Sequence, residues 1–254
     1  RRGREQPNFL SLDGAYHGDT VGAVSVGHID LFHKAYRGLL FKSDKTPAPY
    51  CYRCPHNRAK PERADARTYR KCNWECVATF EQKIVAQKKK ANPYAAFVFE
   101  PLMQGAAGMI AQPEGWLSRV TKIARGHGAQ LIADEVMTGF GRTGSTFACH
   151  REGVQPDFLA LAKGMTGGYL PMAATLTTQK VFDAFLGEYK EFKTFFHGHS
   201  FTGNQLGAAA SLASLEILQG KKSIHARQNL ETQLRDELKL LWSLPNVGDI
   251  RQVG

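Results

Sequence analysis

Lys163 and Asp134 each follow a short apolar run, residues 158–162 and 129–133. Runs of that length bounded by turn-forming residues read as β-strands. An amine and a carboxylate are therefore expected at the ends of two strands. An amine so placed can condense with an aldehyde and then shuttle a proton. A carboxylate so placed can keep a pyridine nitrogen protonated, so that the ring draws electrons. Pyridoxal phosphate is the cofactor that asks for both, together with an aromatic ring against its face and donors around its phosphate. Tyr16 is the candidate ring. Singly, each residue also has a plainer reading. Lysine after a strand is commonly a solvated surface residue, aspartate at a strand end caps or turns the chain, and Tyr16-His17-Gly18 is an ordinary turn.

The elements that must position these residues alternate between short apolar runs and amphipathic stretches. That pattern predicts an α/β fold with a largely parallel sheet. Residues 9–13 and 95–99 read as further strands, the second apolar enough to be covered on both faces. Residues 114–127 read as a helix with Trp116, Leu117, Val120, Ile123 and Ala124 on one face, stopped at Gly126-His127-Gly128. In open α/β sheets ligands bind beyond the carboxyl ends of the strands, where Asp134 and Lys163 are expected. Residues 205–218 are rich in small residues and should pack tightly. Residues 223–242 carry Leu230, Leu234, Leu238 and Leu241 at helical spacing, a stripe that reads as core packing. A domain transition is expected near Gly220-Lys221, with Lys221-Lys222 in a turn.

Several segments together resemble the class III aminotransferases, a fold type I pyridoxal-phosphate family. They are Tyr16-His17-Gly18-Asp19-Thr20, Phe99-Glu100-Pro101-Leu102-Met103-Gln104-Gly105, residues 133–144, Leu161-Ala162-Lys163-Gly164 and residues 197–204. They stand in the family's order and spacing and cover nearly the whole chain. The resemblance implies that Lys163 carries the cofactor and is the catalytic residue, that Asp134 pairs with the pyridine nitrogen, and that Tyr16 stacks on the ring. It implies that Glu100 helps to organise the site, with Gln104 in the same motif, and that Ser200 binds phosphate across a homodimer interface where relatives usually carry threonine. Tyr16, Asp19 and Arg142 would line the substrate region. Within the family, residues 16–26, 28–33 and 36–41 look most like the biotin-synthesis members. That implies small-molecule substrates: an amino donor and an 8-amino-7-oxononanoate-like acceptor. Members using ω-amino acids or diamines share most of these motifs and remain the alternative. The resemblance also implies a large pyridoxal-phosphate-binding domain over residues 1–220, incomplete at its N-terminus, with a cysteine-bearing insertion at about 47–77. Residues 221–254 would start a smaller C-terminal domain, cut short after a strand-like 252–254.

The insertion holds four of the five cysteines. Cys51-x2-Cys54 followed by Cys72-x3-Cys76 is close to a zinc-ribbon spacing, but x3 stands where a zinc knuckle has x2. The expected reading is a reduced, partly buried loop with no metal; Cys149 is expected in the core. A competing class is a zinc-ribbon module that recruits nucleic acid through the net charge of +10. The basic residues are spread out, and Lys88-Lys89-Lys90 reads as a solvated helix end. No basic-plus-aromatic motif accompanies them, so no nucleic-acid partner is expected. No run of about 18 apolar residues appears, so no membrane span is expected. The basic start at residues 1–7 leads into no apolar segment, so a cytoplasmic location is the expectation.

Overall fold

A computed structural model describes residues 7–59 and 65–254 of the chain. The basic opening at residues 1–6 lies outside them. The strands are β1 (Asn8–Leu12), β2 (Asp44–Thr46), β3 (Tyr94–Phe99), β4 (Met103–Gln104), β5 (Ile110–Ala111), β6 (Gln130–Asp134), β7 (Phe158–Leu161) and β8 (Ala174–Thr177). The helices are α1 (Val21–Ser25), α2 (Asp30–His33), α3 (Glu75–Lys89), α4 (Trp116–Gly126), α5 (Gln179–Asp183), α6 (Gln205–Gln219) and α7 (Lys221–Leu238). The main sheet has six strands in the order β2-β1-β3-β6-β7-β8, and β4 and β5 form a separate hairpin. Every pairing in the main sheet is parallel except β7 with β8. The expected mostly parallel α/β sheet flanked by helices is what forms.

The local reasons are legible in the residues. β3 buries Ala96, Phe97, Val98 and Phe99, as a strand covered on both faces must. α4 buries Trp116, Leu117, Val120, Thr121 and Ala124 against it. Its C-terminal signal is Gly128, whose φ of 81° suits glycine and whose N–H bonds the Arg125 carbonyl at 2.9 Å. Phe80 of α3 meets Phe97 edge-on at 4.9 Å between centroids, and Phe97 stacks near Phe99 at 5.0 Å. Side chains of this size each add about 1.5–3 kcal/mol when fully buried. This core makes the sheet a rigid platform. Cys149 is buried in the same cluster.

Past β7 the burial thins. The small-residue face of α6 packs down, with Gly207 and Ser211 buried and the Ser214 hydroxyl donating to the Gly164 carbonyl at 3.2 Å. Its other face leaves Leu206, Leu212 and Ile217 exposed. The leucine stripe is not core within this chain: Leu230 is 55% and Leu234 41% exposed, Leu238 is half-buried, and Leu241, in the 3-10 turn Lys239–Ser243 after α7, is exposed as well. Periodicity reports that a helix has an apolar face, not that the same chain covers it. Lys221 and Lys222 form the first turn of α7 rather than a free turn, because Gly220 is extended and breaks the chain just before them. Residues 252–254 are assigned no strand.

Candidate active site

The strand order places one crevice. β1 leads toward β2 on one side, and β3 leads toward β6 on the other. The two connections part beyond the carboxyl ends of β1 and β3, the kind of switch point at which ligands bind in open α/β sheets. Tyr16 and His17 follow β1, Glu100 follows β3, Asp134 ends β6 and Lys163 comes two residues after β7. Four neighbouring parallel strands therefore bring these groups to one edge. Register fixes the last two relative to each other: Asp134 pairs with Ala160, and the Glu135 N–H bonds the Ala160 carbonyl at 3.0 Å.

Asp134 is aimed. Its Oδ2 lies 2.8 Å from His17 Nδ1, and its Oδ1 accepts the Val136 N–H at 3.1 Å. Both side chains are largely buried. The other imidazole nitrogen, His17 Nε2, is buried without a hydrogen-bond partner among the described residues. Glu100 is buried beside them. Burial pushes its carboxyl above the usual glutamate range; the Gly105 N–H and His17 pull it back down, while the nearby Asp134 adds to the rise. Its Oε2 accepts the Gly105 N–H at 2.9 Å. Gln112 clamps the same loop by donating to the Glu100 carbonyl at 2.8 Å and accepting the Leu102 N–H at 3.0 Å.

Lys163 has φ of 46°, a left-handed conformation that costs a non-glycine residue about 1–3 kcal/mol. It opens a short 3-10 turn, Lys163–Thr166. Gly164 follows because a Cβ there would stand 3.0 Å from the Phe140 Cβ. Packing of this turn against Phe140 on one side and α6 on the other holds the strained backbone. The lysine side chain itself is exposed and borders an open depression with Thr166, Tyr169 and Met172.

Tyr16 and Asp19 are joined: the phenol donates to Asp19 Oδ2 at 2.9 Å. That hydrogen bond, more than burial, raises the phenol above its ordinary value, so it stays a donor. Both border a cavity of about 660 Å³ with Val21, Phe32 and Tyr36. Gln104, by contrast, is fully buried and donates to the Asp13 carbonyl at 3.0 Å, a bond that braces the loop after β1. Arg142 lies exposed on the loop after β6, and Ser200 lies exposed in the turn that leads to the Asn204 cap of α6. No hydrogen bond or ion pair joins either of them to the crevice among the described residues.

Sequence reasoning passed over two residues. His17 is the partner of Asp134; its position inside the Tyr16-His17-Gly18 turn was the available signal. Glu135 is completely buried and accepts the Ala148 and Cys149 N–H groups at 2.8 Å each and the Thr138 hydroxyl at 3.0 Å. Nothing in sequence distinguishes it from a solvated glutamate.

Residues 1–254 match the family model described as aminotransferase class-III. The adenosylmethionine-8-amino-7-oxononanoate aminotransferase of Geobacter sulfurreducens is 52% identical over 98% of this chain and 53% of the relative. Its namesake from Aquifex aeolicus is 46% identical over 97% of this chain and 52% of the relative. The crystal structure of the Methanocaldococcus jannaschii protein of that name superposes with a TM-score of 0.83 at 39% identity, covering 100% of this chain and 53% of that one. A PLP-bound amine transaminase from an uncultivated Pseudomonas species gives 0.83 at 33% identity, covering 97% and 53%. The chain spans about half the length of the curated relatives it matches. Its sheet is that of the fold type I transferases these structures represent. With this match running the whole length of the chain, the chain belongs to the class III aminotransferases.

Proposed function

We propose that this chain carries the pyridoxal-phosphate site of an aminotransferase that delivers an amino group to 8-amino-7-oxononanoate, giving 7,8-diaminononanoate for biotin synthesis. The observation that carries the proposal is the convergence of His17, Glu100, Asp134 and Lys163 at the carboxyl ends of four adjacent parallel strands. The relatives' names support the acceptor and make adenosylmethionine the donor of this reading. The other transaminase structures are less similar in sequence, at 33% and 30% identity, so the ω-amine reading ranks second.

The residues present fit the cofactor. The donor set comprises an amine, an oriented carboxylate and a phenol ring, and His17 Nε2 is a buried polar atom still lacking a partner. Bound pyridoxal phosphate supplies an aldehyde for the amino group and a ring that draws electrons from the reacting carbon. Lys163 Nζ would hold that aldehyde and carry a proton to and from the substrate. The Asp134 carboxylate, oriented by His17, would keep a proton at the pyridine nitrogen. Tyr16 would cover one ring face while its hydroxyl, held by Asp19, shapes the acceptor pocket. Glu100 would bias proton positions in the His17–Asp134 cluster.

Arg142 and Ser200 would act from their exposed loops, Arg142 on substrate and Ser200 on the phosphate in a second copy. The exposed Phe195, Phe196, Phe201 and Leu212 suit a homodimer, since obligate interfaces often exceed about 2,000 Å². We assign the working enzyme to the cytoplasm and read residues 221–254 as the start of a second domain.

Two measurements test the proposal. Borohydride reduction and peptide mapping should place the pyridoxyl label on Lys163; label elsewhere overturns the site. Asp134→Asn should keep the cofactor yet slow the first half-reaction on the order of a hundredfold, equivalent to about 2.7 kcal/mol of transition-state stabilisation. Near-wild-type rates would reduce Asp134 to a turn former, a task asparagine performs equally well.

A further inference from the structure

Helix α7 turns Leu230 and Leu234 outward and sets two charged residues inward: Arg227 and Glu231 are half-buried. Standing four positions apart, they share one face of the helix. That face meets the turn after β6 that carries Arg142, and three observations show how closely the two fit.

First, glycine opens the turn to them. Gly141 and Gly144 have φ of 89° and 87°, where a side chain is strained in any case. A Cβ on Gly141 would stand 2.8 Å from Arg227 Nε, and one on Gly144 would stand 2.6 Å from Glu231 Oε2. The α7 side chains thus occupy the space in which other residues of the turn would place their own.

Second, polar bonds fasten the contact from both sides. Arg151 donates from Nη1 to the Thr143 carbonyl, and the same nitrogen lies 3.4 Å from Glu231 Oε1. Arg227 Nη2 donates to the Leu218 carbonyl of α6 at 2.8 Å, and Gln252 Nε2 donates to the Glu231 carbonyl at 2.8 Å. Inside the turn the Gly144 N–H bonds the Gly141 carbonyl at 3.1 Å, and the Gly141 N–H bonds the Thr146 carbonyl at 3.3 Å.

Third, the clamp falls on the backbone to either side of Arg142. Gly141 and Thr143 are buried, while Arg142 between them is exposed. The preceding residue, Phe140, packs against Gly164, the neighbour of Lys163. One turn therefore touches the lysine turn at one end and α7 at the other. A side chain that meets a ligand from outside is aimed by supporting residues that hold its backbone.

We propose that Arg227 and Glu231, with Arg151 bridging helix and turn, are positioning residues that set Arg142 for the substrate. This rests on the reading that Arg142 meets the acceptor; the α7 residues act only through it. A packing role for Glu231 would depend on its volume, whereas positioning through Arg151 depends on its charge.

Two measurements on the holoenzyme separate the clamp from the substrate reading. Arg151 and Glu231 are both partly exposed, so Glu231→Ala should speed hydrogen exchange at the Gly141 and Gly144 amides by about two- to fivefold, the loss of one such ion pair. Glu231→Lys, which sets a like charge against Arg151, should exceed that, while the β6 amides keep their wild-type rates. KM for 8-amino-7-oxononanoate should rise by about the same factor in Glu231→Ala with kcat within about twofold, as when uniform binding is lost. Arg142→Ala alone should raise that KM about tenfold or more, the loss of a charged hydrogen bond. Adding Glu231→Ala to it should raise KM no further, because residues that act through one another are not additive. Should Glu231→Lys not fold, Glu231→Gln keeps the volume, removes the charge and carries the same test. Wild-type exchange at Gly141 and Gly144 in the charge variant overturns the positioning role, as does a Glu231 effect on KM that adds in full to that of Arg142→Ala. A normal KM in Arg142→Ala, with exchange accelerated as expected, instead removes Arg142 from the substrate, and the proposal falls with that reading.

Discussion

Glu135→Gln tests the buried carboxylate that holds the loop after β6. The wild-type oxygens take three donors: Oε2 accepts the Ala148 N–H and the Thr138 hydroxyl, and Oε1 accepts the Cys149 N–H. Glutamine can keep its oxygen on the Oε2 side and retain two of these. Its amide nitrogen then faces the Cys149 N–H, donor against donor, at a completely buried position. A buried N–H left without an acceptor costs about 1–3 kcal/mol, and each retained bond loses up to about 1 kcal/mol when its acceptor becomes neutral. Burying a neutral amide rather than a carboxylate returns part of this. The net is about 2–4 kcal/mol. A chain of this length shifts by about 2 °C in Tm for each kcal/mol, so a fall of about 4–8 °C is expected. Calorimetry measures it, and hydrogen exchange at the Cys149 amide should accelerate in parallel. A Tm within about 1 °C of wild type, with unchanged protection at Cys149, would show that these three bonds do not hold the loop.

Three further outcomes follow from the core and its titratable groups. Trp116→Ala removes the largest fully buried side chain and should cost about 3–5 kcal/mol in denaturant unfolding; a loss under about 1 kcal/mol would mean that the α4 face is not anchored there. Burial raises the Glu100 carboxyl above its ordinary 4.5, so folding favours the protonated form, and that contribution, complete below the unfolded value, is lost as pH rises through the folded one. Glu100→Gln should therefore gain stability relative to wild type as pH climbs from below 4.5 to neutral, whereas a difference independent of pH contradicts the burial argument. Burial, reinforced by Glu135, pushes the Cys149 thiol up, so in native protein Cys149 should resist alkylation at mildly alkaline pH and react once denatured; equal rates in both states would contradict it.

Much of the fold was written in local pattern. The apolar runs at 129–133 and 158–162 became β6 and β7, the 114–127 amphipathic face became α4, and the strand ends carried Asp134 and Lys163 to the sheet edge. These succeeded because strand burial and helix periodicity act over a few residues, and a parallel sheet delivers its strand ends to one side. Family motifs pointed to Tyr16, Glu100, Asp134 and Lys163 on these strand ends, and also to Arg142 and Ser200, which lie on exposed loops. What tertiary structure alone decided are the contacts between segments distant in sequence. His17 reaches Asp134 across 117 positions, and Glu135 becomes a buried acceptor only because the loop to Cys149 folds back over it. Cys51, Cys54, Cys72 and Cys76 come to border one cavity. The leucine stripe of α7 met the opposite fate and stays exposed, since a periodic face specifies that something should cover it and not where the covering surface resides. Local sequence sets each segment's own preference. Pairing between segments depends on chain closure and on a packing geometry that no single window of sequence contains.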